Sequence, residues 1–352
     1  MVNLCADEDG ALPLPWLAAP LREVLATQRG HALLVHGAAG IGALPFAVTI
    51  AQAWLCEAAE GVARPCGRCG SCRLVQSRLH PDLLVLLPET LRRAHDWPLI
   101  DDKVDGEDAK RKPSRQIRIV EVRALIDWTT RTPARGRGKV ALLHPADALN
   151  VQSANALLKT LEEPPGSTRL LLTCADPEWL LPTVRSRCQR VRLPDPDPAL
   201  AASWLAGQGV ADADGARILI QACNGRPLDA LALAQQGVDA AAWTALPLAV
   251  ARGQAGALAG WPVPQALDAL QKICHDAMAR SVGGLARYFP HDAVPARAGI
   301  AALAAWSREL DRVARHADHP WNEGLLIESL VLSGRAALSA EPAPGRMDTL
   351  RP

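Results

Sequence analysis

The sequence predicts an α/β domain built on a parallel sheet, followed by helical segments (α/β then α). Three observations predict it. Short apolar runs at 32–36, 139–143 and 170–174 alternate with stretches of helical spacing. A glycine-rich turn, Gly37-Ala38-Ala39-Gly40-Ile41-Gly42, joins the first run to an apolar helix pattern. Finally, Pro194-Asp195-Pro196-Asp197-Pro198 is a stiff linker that separates this half from an alanine- and leucine-rich remainder.

Taken in order, the chain opens with a lead-in and a helix near Pro20–Thr27. Ala32–His36 reads as a strand running into the glycine turn, and Phe46–Leu55 as the helix that follows. Four cysteines come next, then a His80-Pro81-Asp82 turn and a strand, Leu83–Leu87. Residues 88–118 carry Asp101-Asp102, Glu107-Asp108 and Lys110-Arg111-Lys112 with few periodic apolar positions, as in a flexible, solvated insertion. Helical spacing returns at Ile119, Val122, Leu125 and Ile126, ahead of the strand Lys139–Leu143. Val151, Ala154, Leu157, Leu158 and Leu161 give a helix one apolar face. Asn150 is its expected N-cap and Pro164-Pro165 its stop. Leu170–Cys174 completes a βαβ unit.

Composition narrows the function. At 352 residues the chain needs more than one core. Its 38 basic and 37 acidic residues leave a net charge of +1, so no global field draws it to nucleic acid. Asp7, Glu8 and Asp9 replace the basic start of a secretory signal. Residues 30–56 lack any charged side chain, but Gly37, Gly40, Gly42, Pro45 and Gln52 interrupt them, which fits a strand, loop and buried helix rather than a membrane span. Nine cysteines, an odd number with four clustered, suit a reducing cytoplasm better than a disulfide framework.

The cluster is Cys56, Cys66, Cys69 and Cys72. C-x-x-C-x-x-C spacing lets thiolates converge on one tetrahedral ion, and four of them close the site, as in structural zinc. A redox pair needs only two, whereas an iron–sulfur cluster takes the same ligands. The glycine turn is arranged as a phosphate-binding loop, yet the places of its lysine and hydroxyl hold Ala43 and Leu44. A plain strand-to-helix turn is therefore the stronger reading of Gly37, Gly40 and Gly42, with ATP not expected to bind.

Asn155-Ala156-Leu157-Leu158-Lys159-Thr160-Leu161-Glu162-Glu163-Pro164-Pro165, followed by Ser186-Arg187-Cys188, resembles the signatures of the clamp-loader subunits of the AAA+ class, in bacteria the gamma/tau and delta-prime subunits of DNA polymerase III. The resemblance implies an AAA+ P-loop-type parallel sheet over 1–194, with an inserted zinc module at 56–80 and the flexible insertion at 88–118. It further implies a small helical lid at 195–245 and a C-terminal helical collar at 246–341, ahead of a disordered tail at 342–352. It tips the four cysteines towards Zn²⁺.

Active relatives carry Asp-Glu at the end of the central strand, where this chain has His144 and Pro145, with Asp147 the only nearby acid. Their polar sensor position falls near Cys174 or Ala175. These departures and the missing lysine match delta-prime, a subunit that does not hydrolyse ATP. In this family the S-R-C arginine, here Arg187 between Ser186 and Cys188, is a finger reaching the nucleotide of a neighbour. Arg226, near a nucleotide-sensing position, reads as structural. Implied partners are the gamma/tau and delta subunits, with the sliding clamp and primed DNA reached through the assembly and no membrane. The competing readings are an active gamma/tau-like ATPase and a zinc-bearing nucleic-acid module. Missing loop chemistry opposes the first and near-neutral charge the second.

Overall fold

The computed structural model describes residues 3–98, 113–295, 298–316 and 321–340. The middle of the expected flexible insertion (99–112) and the expected disordered tail (342–352) lie outside the described residues. The chain divides into two compact units, Met1–Asp197 and Pro198–Pro352.

The first unit begins with a 3₁₀ turn at Pro15–Leu17 and α1 (Ala18–Thr27), and then β1 (Ala32–His36) and α2 (Ala43–Leu55). α3 (Gly70–Gln76), β2 (Leu83–Leu86), α4 (Glu89–Ala94) and α5 (Ile119–Thr129) follow. It closes with β3 (Lys139–Leu143), α6 (Val151–Glu162), β4 (Thr168–Cys174), α7 (Pro182–Arg185) and β5 (Gln189–Arg192). The sheet is wholly parallel in the order β2-β3-β4-β1-β5. This is the parallel sheet that the apolar runs predict, of the AAA+ type that the resemblance implies.

Parallel strands covered on both faces must be apolar throughout, which is why these runs do not alternate with polar residues. Ala32, Leu34, Leu84, Leu86, Ala141, Leu143, Leu170 and Leu172 share one core with Val122 and Leu125 of α5 and Ala154, Leu157 and Leu161 of α6. Alternate positions such as Leu33, Val35, Leu142 and Leu171 are equally buried towards the other face, where α2 packs on β1, β3 and β4. α2 is buried over nearly its whole length, which accounts for its uncharged sequence. Asn150 caps α6 by accepting from the Ser153 N–H at 2.9 Å. The strand-initial lysine is also explained: Lys139 is buried, its Nζ 2.6 Å from the Trp128 carbonyl and 4.3 Å from the centre of the Trp128 ring.

Two elements differ from the sequence expectation, α4 and β5. The start of the 88–118 insertion forms α4, whose Glu89 accepts from the Ser114 N–H at 3.1 Å and so ties the two ends of the segment together. β5 was not evident, since Val191 is its one apolar residue; the arginines at 190 and 192 suit an edge strand. Asp147 lies beyond β3 in a 3₁₀ turn, Ala146–Ala148.

The second unit is helical: α8 (Pro198–Gly207), α9 (Ala213–Ala222), α10 (Pro227–Gln235), α11 (Ala240–Ala251), α12 (Val263–Ser281), α13 (Ile300–Ala314) and α14 (Glu323–Ser339). Asn224 and Gly225 both adopt left-handed backbone between α9 and α10, at the break visible in the sequence. The boundary expected at 245 falls inside α11. There Trp243 stacks on Phe289 with ring centres 4.7 Å apart, tying α11 to the loop after α12.

Candidate functional site

The four cysteines converge. Cys56 follows α2, Cys66 and Cys69 lie in the turn before α3, and Cys72 is in its first turn. Their sulfur atoms all lie within 4.8 Å of one another. Cys66 to Cys72 and Cys56 to Cys69 are each 3.9 Å apart. A disulfide needs about 2.05 Å between sulfurs. A tetrahedral ion with bonds of about 2.3 Å sets its ligand sulfurs about 3.8 Å apart. The thiols are free and spaced for an ion. Backbone N–H groups of Glu57, Cys69 and Cys72 point at Cys69, Cys66 and Cys69 sulfurs, each at 3.4 Å, and suit thiolates. Burial works to raise the Cys66 thiol, but the N–H groups of Cys69 and Arg68 together with hydrogen bonds from the Cys56 and Cys69 side chains outweigh it and bring the group down to about 6. Burial raises Cys56 and Cys72, a cost that a cation at the centre offsets.

A polar network fastens this module to the sheet. Ser71 of α3 hydrogen-bonds His80 Nε2 at the turn before β2. His80 Nδ1 accepts from the Asp82 N–H at 3.0 Å, so Nε2 carries the proton and donates to Ser71. The Ser71–His80 pair is therefore poled the wrong way for activating a serine, and His80 is an anchor rather than a fifth ligand. The Asp82 carboxylate accepts from the Ala134 and Arg135 N–H groups at 2.7 and 2.8 Å, and Arg135 grips Glu57 beside Cys56. Long-range partners leave no local sequence signal, and only the adjacency of Glu57 to Cys56 hinted at this closure.

The glycine loop lies at the C-terminal edge of the sheet, where β1 sits between β4 and β5. Open parallel sheets bind ligands at such edges. Gly37 is closely packed: a Cβ there would lie 2.9 Å from Ile41 Cδ1 and 3.0 Å from the Leu193 carbonyl. Gly42, at φ 106°, caps α2, and a Cβ on it would collide with Leu14 at 2.2 Å. Trp16 donates to the Ile41 carbonyl at 2.8 Å, so the lead-in braces the loop from behind. Leu44, where the metal-binding hydroxyl is expected, is buried.

Beside the loop, His144 Nδ1 meets Thr173 Oγ1 at 2.6 Å, joining the ends of β3 and β4. The polar group at this edge is Thr173, one residue before the expected position, while Cys174 is buried and its thiol pushed up to about 12, by burial first. The Asp-Glu places of the resemblance thus hold a histidine in a hydrogen bond and a proline.

Arg187 stands apart, between α7 and β5. Its Nε donates to Glu162 Oε1 at 2.6 Å, Nη2 donates to the same oxygen, and Nη1 donates to the Thr183 carbonyl at 2.9 Å. Ser186 Oγ is 3.4 Å from Nη1, and Cys188 packs against the core beneath. The Cys188 thiol is pushed up to about 12 by burial, so it is a packing residue rather than a nucleophile. Arg226, in the other unit, occupies the N-cap position of α10 without a side-chain cap, and its guanidinium lies 3.8 Å from the Asp229 carboxylate.

Two tests follow from this geometry. The chain should carry one equivalent of metal, and Cys69→Ser should lower that content measured by elemental analysis; full retention would overturn the centre. His144 is pushed down to about 4, by burial first and the His95 charge second. A depressed histidine stabilises the fold above its unfolded value near 6.5, and that stability is lost as pH falls towards 4. Because His144 keeps some surface exposed, the loss is discounted to about 1–3 kcal/mol. His144→Asn should flatten the slope of denaturation free energy between those pH values, and an unaltered slope excludes the linkage.

Comparison with known proteins agrees with the geometry. A DNA polymerase III subunit delta' of Pseudomonas aeruginosa is 38% identical over 60% of this chain and 58% of its own length. The Escherichia coli subunit delta' is 29% identical over 73% of this chain and 76% of its own. A DNA polymerase III subunit tau of Salmonella typhimurium is 34% identical over 46% of this chain but 21% of its own. The chain thus spans less than two thirds of the first relative's length. No helix among the described residues is long and apolar enough to cross a membrane. The family model described as DNA polymerase III, delta subunit matches residues 18–197, more than half of the sequence, and the chain belongs to that family.

Proposed function

We propose that this chain is a delta-prime-type subunit of a DNA polymerase III clamp loader, a cytoplasmic protein that assists loading of the sliding clamp onto primed DNA without hydrolysing ATP itself. Its partners are the gamma/tau and delta subunits, and clamp and DNA are engaged through the assembly. The observation that carries the reading is the contrast between two places in one domain. The glycine loop, with Ala43 and Leu44 opening α2, lacks the charge and the hydroxyl that handle ATP and Mg²⁺. Arg187 is meanwhile displayed on the surface, with the residues of the S-R-C motif on either side.

A guanidinium is charged at any physiological pH and offers a planar fork to phosphate oxygens. Supplied in trans to a neighbour's nucleotide, such a finger contributes on the order of 10³–10⁵ in rate. Ser186 and Cys188 serve it through position: the one beside the guanidinium, the other packed below. The four cysteines hold structural zinc, which staples the 56–80 module and leaves no ligand position open for catalysis.

The isolated chain, titrated with fluorescent ATP and Mg²⁺, should show no binding up to millimolar nucleotide; micromolar affinity would transfer the proposal to a gamma/tau-like motor. In a reconstituted loader, Arg187→Ala should leave folding intact and slow hydrolysis at the served site on the order of 10³-fold. An unchanged ATPase rate with saturating clamp and primed DNA would refute the finger.

A further inference from the structure

The guanidinium of Arg187 is held by a residue to which the S-R-C motif assigns nothing. Glu162 is the last residue of α6, and Arg187 follows α7. Their backbones are fixed relative to each other, because Leu161 and Val184, each close by in sequence, are buried in one shared core. Glu162 Oε1 takes the hydrogens of Nε and Nη2, which is the side-on edge of the fork. The Thr183 carbonyl takes one hydrogen of Nη1 at 2.9 Å, and Ser186 Oγ lies 3.4 Å from the same nitrogen. Of five guanidinium hydrogens, one on Nη2 has no acceptor among the described residues, and the contact of Nη1 with Ser186 is long. Since the other Nη2 hydrogen lies on the side-on edge with Glu162, the unaccepted one lies on the end-on, Nη1–Nη2 edge, which a phosphate outside the chain can approach.

We propose that Glu162 is the positioning residue of Arg187: its carboxylate fixes the plane of the guanidinium so that the Nη1–Nη2 edge faces outward. An unrestrained arginine spreads over many rotamers, and ordering it when the transition state forms costs rate. Glu162 orders it beforehand. The pair is partly exposed, so its part lies in orientation rather than in stability. The loss of Glu162 therefore reaches the rate of the chemical step more than the affinity for nucleotide.

This inference rests on the finger reading above, and the two can fail separately. In the reconstituted loader with clamp and primed DNA, Glu162→Gln should lower kcat for ATP about three- to tenfold and leave KM within about twofold. The melting temperature and assembly should stay as in the parent. Added to Arg187→Ala, it should cause no further loss, because it acts through that arginine. A Glu162→Gln loader as fast as the parent, or faster, overturns the positioning role, and so does an additional loss in the Arg187→Ala background. If Arg187→Ala alone changes nothing, the finger reading falls with it. If Arg187→Ala is slow and Glu162→Gln is not, the positioning role alone falls.

Discussion

β4 is the one strand on which the first unit depends most, because it is the centre of the sheet, pairing with β3 from Lys139 to Leu143 on one side and with β1 from Ala32 to His36 on the other. Two parallel ladders on a single strand align the C-terminal ends of three strands in register. His36 therefore comes opposite Cys174, and Leu143 opposite Leu172. That alignment brings the glycine loop, His144 and Thr173 to one edge although more than a hundred residues separate the first from the last. The Gly37 N–H donates to the Cys174 carbonyl at 3.3 Å, which carries the β1–β4 ladder into the loop itself.

What stands at this edge is a parallel-sheet scaffold whose glycine loop and strand ends carry packing groups. Ile41 and Leu193 fill space around Gly37, Leu14 does so at Gly42, Leu44 is buried beside them in sequence, and a neutral histidine held to a threonine hydroxyl spans the strands. Apolar contacts and one buried hydrogen bond stabilise such an edge more cheaply than unpaired charges would, since a buried charge without its counter-ion carries a heavy desolvation cost.

The cysteine module meets a different constraint. Between Cys56 and His80 few large apolar side chains are buried, Val75 among them, while Val62 and Leu79 remain exposed. Such a segment cannot build its own core, and four convergent cysteines, spaced for a metal ion, stand in its place. The closed path from Glu57 through Arg135 and Asp82 to His80 and Ser71 then transfers that rigidity to the start of β2 and the approach to β3. Every polar group along it is satisfied, which buried polar networks require.

Periodicity and local chemistry made the main elements legible in the sequence. The apolar runs at β1, β3 and β4, the stripe on α6 with its Asn150 cap, and the cysteine spacing all depend on neighbours within a few residues, so they can be read one after another. β5 and α4 escaped because pairing and the hydrogen bonds of Glu89 and Thr90 to Ser114, not their own apolar content, hold them in place. Residues of the signature could be named from sequence, but their geometry could not: the hold of Glu162 on Arg187 crosses 25 positions. The sequence alone determined which side chains exist and which short segments must bury them. Tertiary structure decided which distant groups face each other, because strand order and helix packing are settled by the whole core and not by any stretch of it.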